Sequence, residues 1–240
     1  MSPLGVFGGT FDPIHYGHLR TAFELLQALE LAEVRFLPAG EPPHRVPPLC
    51  GASHRLAMVR AAASDQPGFV VDDRETRRAG PSYTVTTLRE LRAEFPGRPV
   101  CLIVGMDAFL GLPQWHEWQQ ILRLAHLVVA HRPGWVAPDS GSLGELLAER
   151  GTTRHADLHA TEAGRIHVRA VTQLEISSTD LRDLIVSGRD PRYLLPDAVR
   201  EIIRARLSNL LPSRDEWRRS WGAIWRGTGI GFGLGLIPGI

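Results

Sequence analysis

Six short apolar runs alternate with longer stretches whose apolar residues recur at helical spacing, and this alternation limits the possible folds more than any other feature of the chain. The runs are Leu4 to Phe7, Val34 to Leu37, Phe69 to Val71, Val100 to Val104, Leu127 to Ala130 and Ile166 to Val171. Each has the length of a strand. Between them Leu19, Ala22, Phe23, Leu26 and Leu29 follow helical spacing, as do Leu56, Val59 and Ala63, and then Leu88, Leu91 and Phe95. Strands that alternate with helices pair in parallel, because a parallel neighbour is reached only through a crossover. The sequence therefore predicts an α/β fold, a Rossmann-like doubly wound and mostly parallel sheet with helices on both faces. Later in the chain, Ser177-Ser178-Thr179-Asp180 places hydroxyl residues before an amphipathic pattern, the signature of a helix start, and another helix is expected from near Pro196 toward Leu207.

The character of the chain changes near Leu211. Trp217, Trp221 and Trp225 repeat every four residues, and glycine then takes alternate positions from Gly227 to Gly235. We expect one domain over residues 1–211 and an extension over 212–240. The fourteen residues after Arg226 are fewer than the roughly 20 apolar residues that span a bilayer. The Trp and Arg strip could lie on a membrane surface, dock on the domain, mediate self-association or stay a poorly ordered extension.

Charge narrows the chemistry. A formal net charge of +1 gives no reason to expect a nucleic-acid polymer as partner. All 27 basic side chains are arginine, so phosphate recognition must rest on guanidinium groups, histidines and backbone amides, and lysine chemistry is excluded. Cys50 and Cys101 are too few and too far apart for a disulfide framework or a metal knuckle. The first residues carry neither a basic leader nor a long apolar stretch, so a cytoplasmic location is expected.

The first run leads into Gly8-Gly9-Thr10-Phe11-Asp12-Pro13-Ile14-His15-Tyr16-Gly17-His18, and a helix follows at once. A strand, a glycine turn and a helix N-terminus together receive phosphate through backbone amides and the helix dipole. Gly8 and Gly9 let a nucleotide approach the main chain. His15 and His18 stand three residues apart and so face one side of the helix start, where they can bind phosphate together. For His54, His126, His155, His159 and His167 we expect ordinary surface or core positions, and Arg189, Arg200 and Arg204 read as solvated helix arginines.

Gly8 to His18 resembles the (T/H)xGH signature of the nucleotidyltransferase superfamily, and Ile176 to Arg182 resembles its S-S-T-x-x-R box. Between them Pro43-His44-Arg45, Pro81-Ser82-Tyr83-Thr84, Gly105-Met106-Asp107, Leu112-Pro113-Gln114-Trp115-His116 and His131-Arg132-Pro133-Gly134 are similar, in order, to the internal blocks of bacterial nicotinate-nucleotide adenylyltransferase. The resemblance covers roughly residues 3–208. It implies transfer of the adenylyl group of ATP to nicotinate mononucleotide, giving deamido-NAD and pyrophosphate in NAD biosynthesis. It also implies Mg²⁺ bound mainly through ATP phosphates rather than in a protein cage. On this resemblance His15, His18 and Arg182 are the catalytic set. Gly8, Gly9, Thr10, Phe11, Gly105, Asp107, Ser177, Ser178 and Thr179 bind ATP. His44, Arg45, Thr84, Trp115, His116 and Arg132 bind the acceptor, with Trp115 stacking on the pyridine ring and Trp118 left to the core. Nicotinamide mononucleotide is the alternative acceptor, and a nucleotide-binding regulator without turnover is the alternative class. Met106 stands where relatives often carry a smaller residue, and its side chain either narrows the pocket or points into the core.

Overall fold

A computed structural model describes residues 1–41, 48–131, 137–172 and 174–210. All six expected strands form: β1 (Leu4–Gly9), β2 (Glu33–Pro38), β3 (Phe69–Val71), β4 (Val100–Gly105), β5 (His126–His131) and β6 (Ile166–Ala170). They make a single sheet of order β3-β2-β1-β4-β5-β6 in which every pairing is parallel. The expectation of a mostly parallel sheet thus becomes a wholly parallel one among the described strands. From β1 the chain steps outward through β2 to β3, then returns to the other side of β1 as β4. With right-handed crossovers, the helices of the two halves fall on opposite faces. Both faces are covered, for β4 and β5 are buried along nearly their whole length.

The connecting helices are α1 (Tyr16–Ala28), α2 (Ala52–Ala63), α3 (Arg74–Arg77), α4 (Thr84–Glu94), α5 (Met106–Leu110), α6 (Trp118–Leu124), α7 (Gly141–Arg150) and α8 (Ala156–Ala160). After β6 come α9 (Ser178–Val186) and α10 (Asp197–Leu210). In α1 the core face is Ala22, Leu25 and Leu29, while Leu19, Phe23 and Leu26 are half-buried. Leu25 completes the three-and-four spacing from Ala22, so the stripe keeps Ala22 and Leu29 of the expected residues and turns away from Leu19, Phe23 and Leu26. In α4 Leu88 and Leu91 are buried as the spacing predicts, together with Val85 and Thr87, and Phe95 lies half-buried under the Arg35 guanidinium, 4.7 Å from the ring centroid. One face of β4 and β5, through Leu102, Val104, Leu127 and Val129, packs with Leu88, Leu91, Phe109 and Ile121 in the main apolar cluster.

Residues 1–200 form one compact unit, and Glu201 opens a second, of which the described part is the rest of α10. The 212–240 extension lies outside the described residues. Arg200 departs from its expected solvated state. Its side chain is only 13% exposed and pairs with Asp197 at 2.8 Å and Asp190 at 3.6 Å. His126 meets its expectation as a core histidine, with Nε2 against the Thr161 carbonyl at 2.8 Å and Nδ1 accepting from the Arg165 N–H at 3.0 Å.

Candidate active site

The strand order reverses between β1 and β4, and in open parallel sheets a crevice forms outside the carboxyl ends of the strands at such a point. A cavity of about 890 Å³ occupies it. Gly8, Gly9, Thr10, Phe11, His15 and His18 line one wall, Gly105, Asp107 and Trp115 another, and Ser177, Ser178, Thr179 and Arg182 close it. Residues 170 positions apart in sequence meet here because α9 returns the chain to the loop after β1.

Each wall has a physical cause. His15 is the N-cap of α1, in extended backbone with φ −148° and ψ 171°. The Tyr16 N–H donates to the Leu194 carbonyl and the His18 N–H to the His15 carbonyl. Gly17, the remaining residue of that first turn, lines the cavity, so the positive end of the helix dipole opens onto it. The imidazoles of His15 and His18 lie 3.8 Å apart, tilted by 32°. This is the paired arrangement expected from their spacing. Phe11 supports them from below with its ring 5.1 Å from His18 in an edge-to-face contact. Only 2% exposed, Phe11 adopts φ 49°, the left-handed region that bulky residues avoid. Gly9 permits this, because a Cβ there would come within 2.9 Å of the Phe11 ring. Gly9, expected to serve the ligand, also seats an aromatic ring.

The box at the start of α9 is joined directly to that loop. Ser177 caps the helix by accepting from the Asp180 N–H at 3.0 Å. Ser178 Oγ donates to the Pro13 carbonyl at 3.0 Å, and Arg182 Nη1 donates to the Asp12 carbonyl at 2.9 Å. Arg182 Nη2 reaches Thr179 Oγ1 at 3.1 Å, so the guanidinium is held with its charge toward the cavity it lines. Two helix N-termini, two imidazoles and one guanidinium therefore surround a single space. Such an arrangement can hold a polyphosphate.

Burial holds His15 well below the usual imidazole range, at about 4. Its ring is 4% exposed and Nδ1 has no partner among the described residues. A group with a depressed folded-state pKa stays neutral in the native state while the unfolded chain takes up a proton. The stability it contributes is therefore complete above about pH 6.5 and is lost as pH falls toward 4. At about 1.4 kcal/mol per unit, the difference is on the order of 3 kcal/mol. Burial shifts His126 and His167 in the same direction, so a comparison of variants isolates His15. In denaturant unfolding, His15→Gln should lose about 2 to 3 kcal/mol less than the wild type between pH 7 and pH 4.5. Equal losses would mean that His15 does not titrate as its burial implies.

On the acceptor side the placement is divided. Trp115 lines the cavity and also packs on the core cluster, whereas Trp118 packs on the cluster and does not line the cavity. Thr84 and His116 do not line the cavity. The Tyr83 and His116 rings lie 4.4 Å apart, which brings the start of α4 against the residue that follows Trp115. Among the described residues neither the Thr84 nor the His116 N–H has an acceptor. His44, Arg45 and Arg132 lie outside the described residues. Met106 is 4% exposed and belongs to the core cluster, which decides its orientation in favour of the core.

Three features at the cavity or behind it were given no role by the sequence. Asp12 is buried and accepts from the Leu49 N–H at 2.8 Å. Leu49 and Leu174, both exposed, give the mouth an apolar edge. Arg55, 1% exposed, lies on the apolar face of α2 directly behind the loop. Its position one turn before Val59 was the only signal available. An arginine on a buried helix stripe requires acceptors from elsewhere in the chain.

A family model described as cytidylyltransferase-like matches residues 6–184. A curated relative from Aeromonas hydrophila, named "Probable nicotinate-nucleotide adenylyltransferase", is 54% identical over 202 residues, covering 84% of this chain and 94% of its own. One of the same name from Methylococcus capsulatus is 49% identical over 201 residues, covering 83% and 96%. Among solved structures, Plasmodium falciparum nicotinic acid mononucleotide adenylyltransferase complexed with NaAD aligns with a TM-score of 0.66 at 15% identity, over 89% of this chain and all of that one. At that identity the likeness speaks for the fold alone.

Proposed function

The chain belongs to the nicotinate-nucleotide adenylyltransferase family, and from that premise we propose how its residues carry the transfer of the adenylyl group of ATP to nicotinate mononucleotide. The enzyme is a nucleotidyltransferase of NAD biosynthesis. The observation that carries the assignment of roles is the meeting of His15, His18, Ser178 and Arg182 on one cavity at the β1/β4 switch point.

An acceptor phosphate oxygen attacks the α-phosphorus of ATP in line. The new P–O bond forms as the bond to the β-phosphate oxygen breaks, and pyrophosphate leaves with that electron pair. A phosphate monoester is already ionised near neutral pH, so no protein nucleophile is needed and a general base has little to do. The protein contributes alignment and charge. His15, His18, Arg182 and the amides of Gly9 to Phe11 face the phosphates, Asp107 accepts from the ribose hydroxyls, and Trp115 stacks on the pyridine ring.

The cavity's carboxylates are Asp12, engaged by the Leu49 amide, and Asp107. That donor set fits Mg²⁺ held mainly by ATP oxygens and water. When bound, the ion neutralises charge on the phosphates. A cytoplasmic location and the lack of a nucleic-acid partner belong to the same proposal.

Acid over amide is the expected acceptor preference. The unclaimed N–H groups of Thr84 and His116 lie beside Trp115 and can donate to a carboxylate. Charge-assisted hydrogen bonds contribute roughly 1.5 to 3 kcal/mol against about 1 for neutral ones, and a carboxamide would turn its own NH₂ toward these donors. Measured with ATP and each mononucleotide in turn, kcat/KM should favour the acid by about tenfold or more. Equal or reversed values would refute the preference.

We also propose that catalysis ends with the 1–211 domain, since every residue given a role precedes Leu211. Truncation after Leu211 should leave kcat/KM unchanged. Lost activity or solubility would place the extension in the working enzyme.

A further inference from the structure

We propose that Arg55, which does not itself line the cavity, is a positioning residue that fixes the ATP side and the acceptor side of the site against each other. Its guanidinium donates to three main-chain carbonyls in three separate segments. Nη1 reaches Thr10 at 2.8 Å in the loop after β1, Nη2 reaches Gly40 at 3.0 Å where the chain leaves β2, and Nε reaches Cys50 at 3.0 Å where it enters α2. Thr10 lines the cavity, as does Asp12 two residues on. Asp12 closes the same junction from the other side, accepting from the Leu49 N–H at 2.8 Å.

The connection continues toward the acceptor. Gly40, whose carbonyl Arg55 holds, donates its N–H to Ser82 Oγ at 3.0 Å, and Ser82 stands two residues before Thr84 at the start of α4. Gly40 itself cannot carry a side chain, because a Cβ would lie 2.3 Å from the Glu75 carbonyl. One planar fork with fixed donor directions therefore sets the distance between the phosphate loop and the Pro81–Thr84 block. An ammonium group, a single point of charge on a flexible stem, cannot serve three carbonyls in three directions. Burial pushes the guanidinium's pKa down from its usual value, and the nearby Asp12 carboxylate opposes that shift.

The inference rests on the adenylyl-transfer reading, and its test separates the two. For Arg55→Lys, kcat should fall by about 10- to 100-fold per folded molecule, the scale of a displacement near 1 Å, with KM raised for both substrates at temperatures where the variant is folded. Calorimetric titration with a non-reactive ATP analogue should show weaker binding as well. A purely structural arginine would lower the unfolding midpoint and leave kcat, both KM values and analogue affinity per folded molecule unchanged, which would overturn the proposal. If Arg55→Lys yields no folded protein, Ser82→Ala removes the acceptor of the Gly40 N–H and so cuts the link from the guanidinium to the Pro81–Thr84 block. It carries the same prediction of raised KM for both substrates, and unchanged values would again refute it. Absence of transfer by the wild type, with analogue binding still sensitive to Arg55, would count against the reaction and not against the positioning.

Discussion

His18→Ala is expected to lower kcat for pyrophosphate release by about 10²- to 10³-fold while the sheet remains folded. Loss of one preorganised donor that faces developing charge commonly has an effect of that size. The geometry points to such a role. His18 is half-buried at the cavity, 3.8 Å from His15 and 5.1 Å from Phe11, so its ring is held in place before any substrate arrives. It is not part of the main apolar cluster, and removing it opens space into a cavity that already exists. Thermal unfolding within a few degrees of the wild type, together with the loss of kcat, is the expected pair of results. A variant that unfolds, or one that keeps near-normal kcat, would make His18 an ordinary packed histidine.

Arg182→Ala is expected to reduce kcat/KM for ATP by a similar factor, for two reasons that act together. A cationic fork disappears from the mouth of the cavity, and the Asp12 carbonyl loses the donor at 2.9 Å that ties the phosphate loop to α9. Arg182→Lys separates these contributions. Lysine restores charge but not the two directed bonds to Asp12 and Thr179, so it should recover only a small part of the loss. Full recovery by lysine would reduce the role to net charge, and wild-type activity in the alanine variant would return Arg182 to the class of solvated helix residues.

What the sequence revealed and what it hid have physical causes. The six strands were legible because a parallel sheet covered on both faces needs nearly continuous apolar runs, and Val100 to Val104 or Leu127 to Ala130 can be read as little else. The phosphate loops were legible because glycine, histidine and hydroxyl residues crowd into short segments beside strand and helix ends. Hidden instead was everything that depends on contacts distant in sequence. Arg55 carries no motif, because its partners lie 45, 15 and 5 positions away. Gly9 was read for its ligand and not for the Phe11 ring, whose left-handed backbone no pattern announces. The α7 helix, Gly141–Arg150, escaped notice because glycines at 141 and 144 interrupt its apolar stripe at Leu143 and Leu147. Thr84 and His116 are expected at the acceptor, and neither lines the cavity that Trp115 does.

The proposed transfer in this cavity is direct, from ATP to the acceptor phosphate with no adenylylated protein between them. Pyrophosphate and dinucleotide should therefore be quantified with ATP alone, with nicotinate mononucleotide alone and with both, alongside exchange of labelled pyrophosphate into ATP. Direct transfer gives one pyrophosphate per deamido-NAD when both substrates are present, and neither release nor exchange when the acceptor is omitted. Exchange without the acceptor would reveal a covalent adenylyl-enzyme, and absence of the dinucleotide with both substrates present would contradict the assigned reaction outright.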